Sequence, residues 1–124
     1  VKSLKLFGQD LMHEVRDSAI RAMDLIIAGR MKHKDDQALF QALQSLKSEH
    51  ISILREYIAH ATDDTLFSFL RMIEEKQNFD LIAYTSEDKK EFVSLKAISD
   101  LLFSELYTDE GWIAKYSAYP PSIK

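Results

Sequence analysis

Three glycines and two prolines are all the backbone punctuation this chain of 124 residues contains. An all-β domain needs many tight turns, so such scarcity points to a mainly helical fold. Hydrophobic residues make up 46% and charged residues 29%, the balance of an ordered globular chain rather than a disordered one. A chain of this length can bury roughly two-thirds of its unfolded surface, which suits one helical domain over residues 1–124.

Apolar periodicity divides that domain. Leu4, Phe7, Leu11, Val15, Ala19, Ala22 and Ile26 recur at steps of three and four, the repeat of one helical face. Met12, Ile20, Met23 and Ile27 widen this apolar stripe, Asp10, Glu14, Asp17, Arg21 and Asp24 are expected on the wet side of the long first helix, and Gly29 with Arg30, Lys32 and Lys34 is its stop signal. Asp35 or Asp36 can cap a short second helix with Leu39, Phe40, Leu43 and Leu46 inside. From Ser48 to about Lys76 the stripe Ile51, Leu54, Ile58, Ala61, Thr65, Phe69 and Met72 predicts a third helix, with a possible break at residues 62–64. Leu66, Phe67, Leu70 and Ile73 make its second half apolar nearly all round, so residues 65–73 are expected at the centre of the bundle. Alternation around residues 79–95 resembles a strand, a charged turn and a return, either a short hairpin or an irregular loop. Leu95, Ile98, Leu101, Leu102 and Leu106 predict a fourth helix closing at Tyr107, followed by a packed C-terminal tail. The expectation is all-α: a bundle of about four main helices with a small β-like insertion.

Composition removes several functions. There is no cysteine, hence no disulfide, thiolate zinc site or cysteine nucleophile, in keeping with a cytoplasmic setting. No apolar run nears the ~20 residues of a membrane span. The chain starts at Val1, which leaves open a preceding initiator or leader. Net charge is −4, and the one basic cluster, Arg30, Lys32, His33 and Lys34, runs straight into Asp35 and Asp36. Nucleic acid needs a wider basic footprint.

Catalytic signatures are absent too. Gly8, Gly29 and Gly111 stand far apart, so no phosphate loop or nucleophile elbow exists, and no cofactor is implied. Adjacent acids such as Asp63 with Asp64 diverge on a helix and read as solubility charges. For metal, Glu56, His60 and Asp63 or Asp64 share a helical face, as do His13 and Asp17 with Asp10 and Glu14. Facing stripes of this kind can hold divalent metal inside a bundle. Both lie opposite the predicted apolar stripes, which makes the metal-binding bundle the alternative reading.

The leading candidate is the run Glu105-Leu106-Tyr107-Thr108-Asp109-Glu110-Gly111-Trp112-Ile113. Tyr107, Trp112, Tyr116 and Tyr119 are four of the chain's six Tyr and Trp residues, and Asp100, Glu105, Asp109 and Glu110 lie in a window, residues 97–114, that has no Lys or Arg. Aromatic side chains with polar tips suit interfaces, and acids steer a basic partner. A partner-binding surface of Asp100, Glu105, Tyr107, Asp109, Glu110, Trp112 and Tyr116 is therefore expected, with homodimerisation through the same aromatics and a purely structural clasp as its rivals. The same run, with Ile98-Ser99-Asp100, Asp64-Thr65 and Phe69-Leu70, resembles small single-domain bacterial proteins without an assigned activity. That resemblance implies a bacterial cytoplasmic all-α domain and transfers no site. By analogy, small acidic domains of this kind include immunity proteins that neutralise basic toxins.

Overall fold

The computed structural model describes residues 2–120. These are 66% helical with one small antiparallel hairpin. A continuous helical rod opens the chain: α1 (Lys2–Asp10), a π-helical turn (Leu11–Arg16) and α2 (Asp17–Ile27) follow one another without a break. The rod ends as expected at Gly29, whose φ of 73° is the left-handed cap conformation. Arg30 N–H donates to Leu25 O and Gly29 N–H to Ile26 O, closing the two capping rings.

The π turn shifts the expected face at Val15, Arg16 and Asp17. A π-helical turn holds one residue more than an α turn, so whatever follows it is rotated by about a residue's worth of helix. Met12 and Arg16 point inward where an unbroken α-helix would place Leu11 and Val15, and Val15 is left exposed. Asp17, expected on the wet side, is buried beside Arg16, and Ile20 and Ile26 carry the apolar face onward.

Helix α3 (Lys34–Leu43) begins one turn earlier than its acids suggest. His33 caps it by accepting Asp35 N–H at Nδ1, 3.2 Å, and Asp35 and Asp36 sit in the first turn, where carboxylates oppose the helix dipole. Its apolar residues are at best half-buried, packed mainly on α2. Helix α4 (Ser48–Glu75) runs unbroken through Thr62-Asp63-Asp64 for 28 residues, about 42 Å. Its inward residues are Asp63, Leu66, Leu70 and Ile73, whereas Thr65, Phe69 and Met72 face outward. The centre of the bundle thus takes one side of this helix, not its whole circumference.

The insertion is the hairpin of the two expected forms. Strands β1 (Ile82–Tyr84) and β2 (Phe92–Ser94) pair antiparallel, Ala83 opposite Val93. Ala83 packs on the core, while Ile82, Tyr84 and Phe92 are exposed on the other side. Its turn is held by Asp88, whose Oδ1 accepts from the Ser86 hydroxyl at 2.7 Å and from Lys90 N–H at 3.1 Å. These bonds, the hydroxyl's first, hold the Asp88 carboxyl below its usual range.

The predicted fourth helix is broken. Helix α5 (Leu95–Ile98), capped by the Ser94 hydroxyl on Ala97 N–H, stops at Ser99, and a 3₁₀ helix (Leu102–Leu106) takes over. Two carboxylates hold the break: Glu74 Oε1 accepts Leu102 N–H at 2.7 Å, and Glu105 Oε2 accepts the Ser99 hydroxyl at 2.6 Å. Helix α6 (Trp112–Tyr116) then carries Trp112 and Ile113 into a core with Met12, Leu66, Leu70, Ile73, Leu95, Leu102 and Leu106.

A polar clasp closes the fold. The Arg16 side chain has no solvent exposure and Asp63 only 1%. Arg16 Nε donates to Asp63 Oδ1 at 2.6 Å and Nη2 to Oδ2 at 3.3 Å; Nη1 reaches the Ser117 hydroxyl at 2.7 Å. The carbonyls of Tyr119 and Pro120, both 3.3 Å away, take the remaining N–H groups. Asp17 accepts from the Ser117 hydroxyl at 2.6 Å and from Ala118 N–H at 2.8 Å. Asp63, read in the sequence as a solubility charge, is therefore an internal counter-charge. Asp63→Ala is expected to cost about 3–5 kcal/mol, because it strands a buried cation, measured by urea unfolding with Trp112 fluorescence as the probe. Gly8→Ala places a methyl 2.5 Å from the Trp112 ring, and the same measurement should show a loss of about 1–3 kcal/mol from overpacking.

Candidate functional site

The predicted surface separates into parts with different roles. Trp112 is only 5% exposed; its ring meets the backbone at Gly8 and packs edge-on against Phe7, centroids 5.8 Å apart. That corrects its assignment to partner binding: the largest apolar side chain in the chain is more stable in the core than in water. Tyr116 is half-buried, and its carbonyl accepts from the His13 ring at 3.0 Å, so it too is chiefly structural. Glu105 is occupied by Ser99.

What remains outside is the turn of residues 107–110, together with Asp100 on the bend before the 3₁₀ helix. Tyr107, Asp109, Glu110 and Asp100 are all exposed. The Tyr107 ring leans on Phe67 of α4, 5.9 Å between centroids, and Phe67 in turn meets Phe103 edge-on at 5.2 Å. Partial burial, then the charges of Asp63 and Asp64, push the Tyr107 hydroxyl's pKa above its ordinary value, with Arg16 opposing. The expected lack of a base is not complete: Lys115, one residue past the acidic window, lies 3.4 Å from Glu110. Both are exposed and the pair contributes little.

The turn is wound tightly. Thr108 has φ 77°, a left-handed conformation that a β-branched residue rarely adopts. Its hydroxyl accepts Glu110 N–H at 3.3 Å, and Gly111 N–H closes back on Thr108 O at 3.1 Å. Gly111 is required here, since any Cβ would collide with the carbonyls of Leu106 and Tyr107.

The alternative metal constellation does not assemble. His60 Nε2 lies 3.4 Å from Asp64 Oδ2, an exposed pair one turn apart, whereas Glu56 lines a separate groove. Among the described residues no three His, Asp or Glu side chains gather closely enough to hold a metal ion, and no helix is long and apolar enough to cross a membrane.

That groove, about 490 Å³ between α2 and α4, was not read from the sequence. Ile20, Met23, Ile58 and Ala59 floor it, Tyr119 and Pro120 close one end, and Arg55 makes a two-pronged pair with Asp24 at 2.7 and 2.8 Å. The Asp24 hydrogen bonds, chiefly, raise the Arg55 pKa further and keep it charged. Comparison of the chain with protein-family models, with curated proteins and with solved structures finds no match.

One titration reads the geometry around the turn. Tyr107 is expected to ionise above the ordinary tyrosine value of about 10, and Asp64→Asn to bring it part of the way back by removing one nearby negative charge. Carbon-13 NMR of the labelled tyrosine rings measures both; a Tyr107 titration unaltered by Asp64→Asn would contradict the arrangement.

Proposed function

We propose that this chain is a non-catalytic interaction module that engages a basic protein partner through Tyr107, Asp109 and Glu110, with Asp100 at the edge. The observation that carries this reading is the Thr108 conformation. A β-branched residue held at positive φ costs on the order of 1–3 kcal/mol, and such strain persists where surrounding structure imposes it, often at binding turns. The turn is hydrogen-bonded within itself, acidic and tipped with an aromatic, which favours a partner recognised by charge and one buried ring. With Trp112 and Tyr116 turned inward, affinity rests on Tyr107 and the acids. A bacterial cytoplasmic setting and an immunity-type role, neutralising a basic protein, extend this reading by resemblance and analogy.

The test uses a partner isolated from the native host and assayed by calorimetry. Asp109→Asn with Glu110→Gln should weaken binding about tenfold or more and flatten its salt dependence, and Tyr107→Ala should weaken it similarly. Thr108→Gly separates strain from ordinary structure: it should leave stability unchanged or improve it by up to about 1 kcal/mol while lowering affinity, because the turn loses its preset shape. Binding that none of these substitutions alters would sink the proposal.

A further inference from the structure

The outward side of α4 carries a pattern that the bundle itself does not use. Ala61, Thr65, Ser68, Phe69 and Met72 lie along it, all exposed, and none is charged. A solvent-facing helical surface is normally charged or polar, yet Phe69 is 46% and Met72 40% exposed here. Thr65 is less polar than its name suggests, since its hydroxyl is spent on the Ala61 carbonyl at 2.8 Å and its methyl remains for packing.

Size along this stripe and charge along its flank both change from one end to the other. The small residues Ala61 and Thr65 come first, and the large ones, Phe69 and Met72, follow. An identical helix laid antiparallel across it, with Ser68 near the two-fold axis, sets Met72 against the partner's Ala61 and Phe69 against the partner's Thr65. Large then meets small on either side of the axis, where the two Ser68 residues meet, the condition for close packing. One flank of the stripe carries His60, Asp64, Arg71 and Glu75. In the same register Asp64 faces the partner's Arg71 and His60 the partner's Glu75, each pair occurring twice by symmetry. Within a single chain Arg71 forms no ion pair among the described residues; it lies over the Phe67 ring, 5.8 Å from its centroid.

We infer that this face is a self-association surface, and that its occupant is the α4 of a second copy, antiparallel and isologous. The overlap of residues 60–75 is about 24 Å of helix, which covers on the order of 300 Å² per copy. Stable interfaces bury about 800 Å² per partner, so the dimer is reversible and its population rises with concentration. This inference does not rest on the basic-partner reading, and the variants at Asp109 and Glu110 leave it untouched.

Sedimentation equilibrium over a concentration series tests it, with circular dichroism as the check on folding. The wild-type mass should climb toward twice the monomer mass, and Phe69→Glu should hold it at the monomer. Asp64→Arg alone should weaken association about tenfold or more by setting like charges face to face, and Asp64→Arg combined with Arg71→Asp should restore it. That rescue is specific to the antiparallel register, because a parallel pair leaves Asp64 and the partner's Arg71 about 10 Å apart along the helix axis. As the chain has no cysteine, Ser68→Cys supplies a single thiol that should oxidise to a covalent dimer. A wild-type protein that stays monomeric at its highest soluble concentration overturns the inference, as does a folded double variant that fails to regain the dimer.

Discussion

A guanidinium sealed from water must find an acceptor for each of its five N–H groups, and Arg16 does so. Those acceptors come from α4 and from the C-terminal strap, so one side chain sets where three parts of the molecule meet. Asp63 supplies the counter-charge, and Asp17 fixes the strap by receiving the Ser117 hydroxyl and Ala118 N–H. A lysine could not replace this arrangement, since a single ammonium group cannot reach a carboxylate and a strap of carbonyls in fixed directions. The apolar core beneath, from Met12 to Ile113, then has only one way to close.

The helical class, the rod ending at Gly29 and the β-like insertion could all be read from the residues. Glycine scarcity, three-four periodicity and alternation are local signals, and local signals survive folding. The buried polar group could not be read that way. A π turn leaves no mark on the apolar count, yet it moves Arg16 and Asp17 inward and Val15 outward, so a face drawn with uniform α periodicity misplaces these three residues. The break after Ile98 was equally silent, because it depends on Glu74 reaching Leu102 from a helix some thirty residues earlier. Of the expected surface, the exposed acids and Tyr107 kept their place. Trp112 did not, and the signal that could have moved it was Gly8, whose missing side chain makes room for the ring.

Helix α4 shows why a sequence stripe and a buried stripe need not coincide. Its apolar residues form two faces, one taken by the 3₁₀ helix and by α2 with the π turn, the other uncovered. Periodicity reports that a face wants cover without saying whether the same chain provides it. Charge offers a finer reading: Asp63 and Asp64 are neighbours in sequence, but one is an internal counter-ion and the other faces solvent beside Tyr107. The strained turn at Thr108 lies close to both, with Phe67 joining the ring of Tyr107 to the body of the helix.

The partners of the clasp stand about a hundred residues apart: Arg16 and Asp17 near one end, residues 117–120 near the other. During synthesis the first helix therefore emerges long before the strap that satisfies it. Until residue 120 has left the ribosome, Arg16 and Asp17 must stay hydrated, and the rod must remain loosely docked. Asp63 can meet Arg16 earlier, but the acceptors for its other N–H groups come only with residues 117–120. The fold thus ties the burial of an early segment to one made about a hundred residues later.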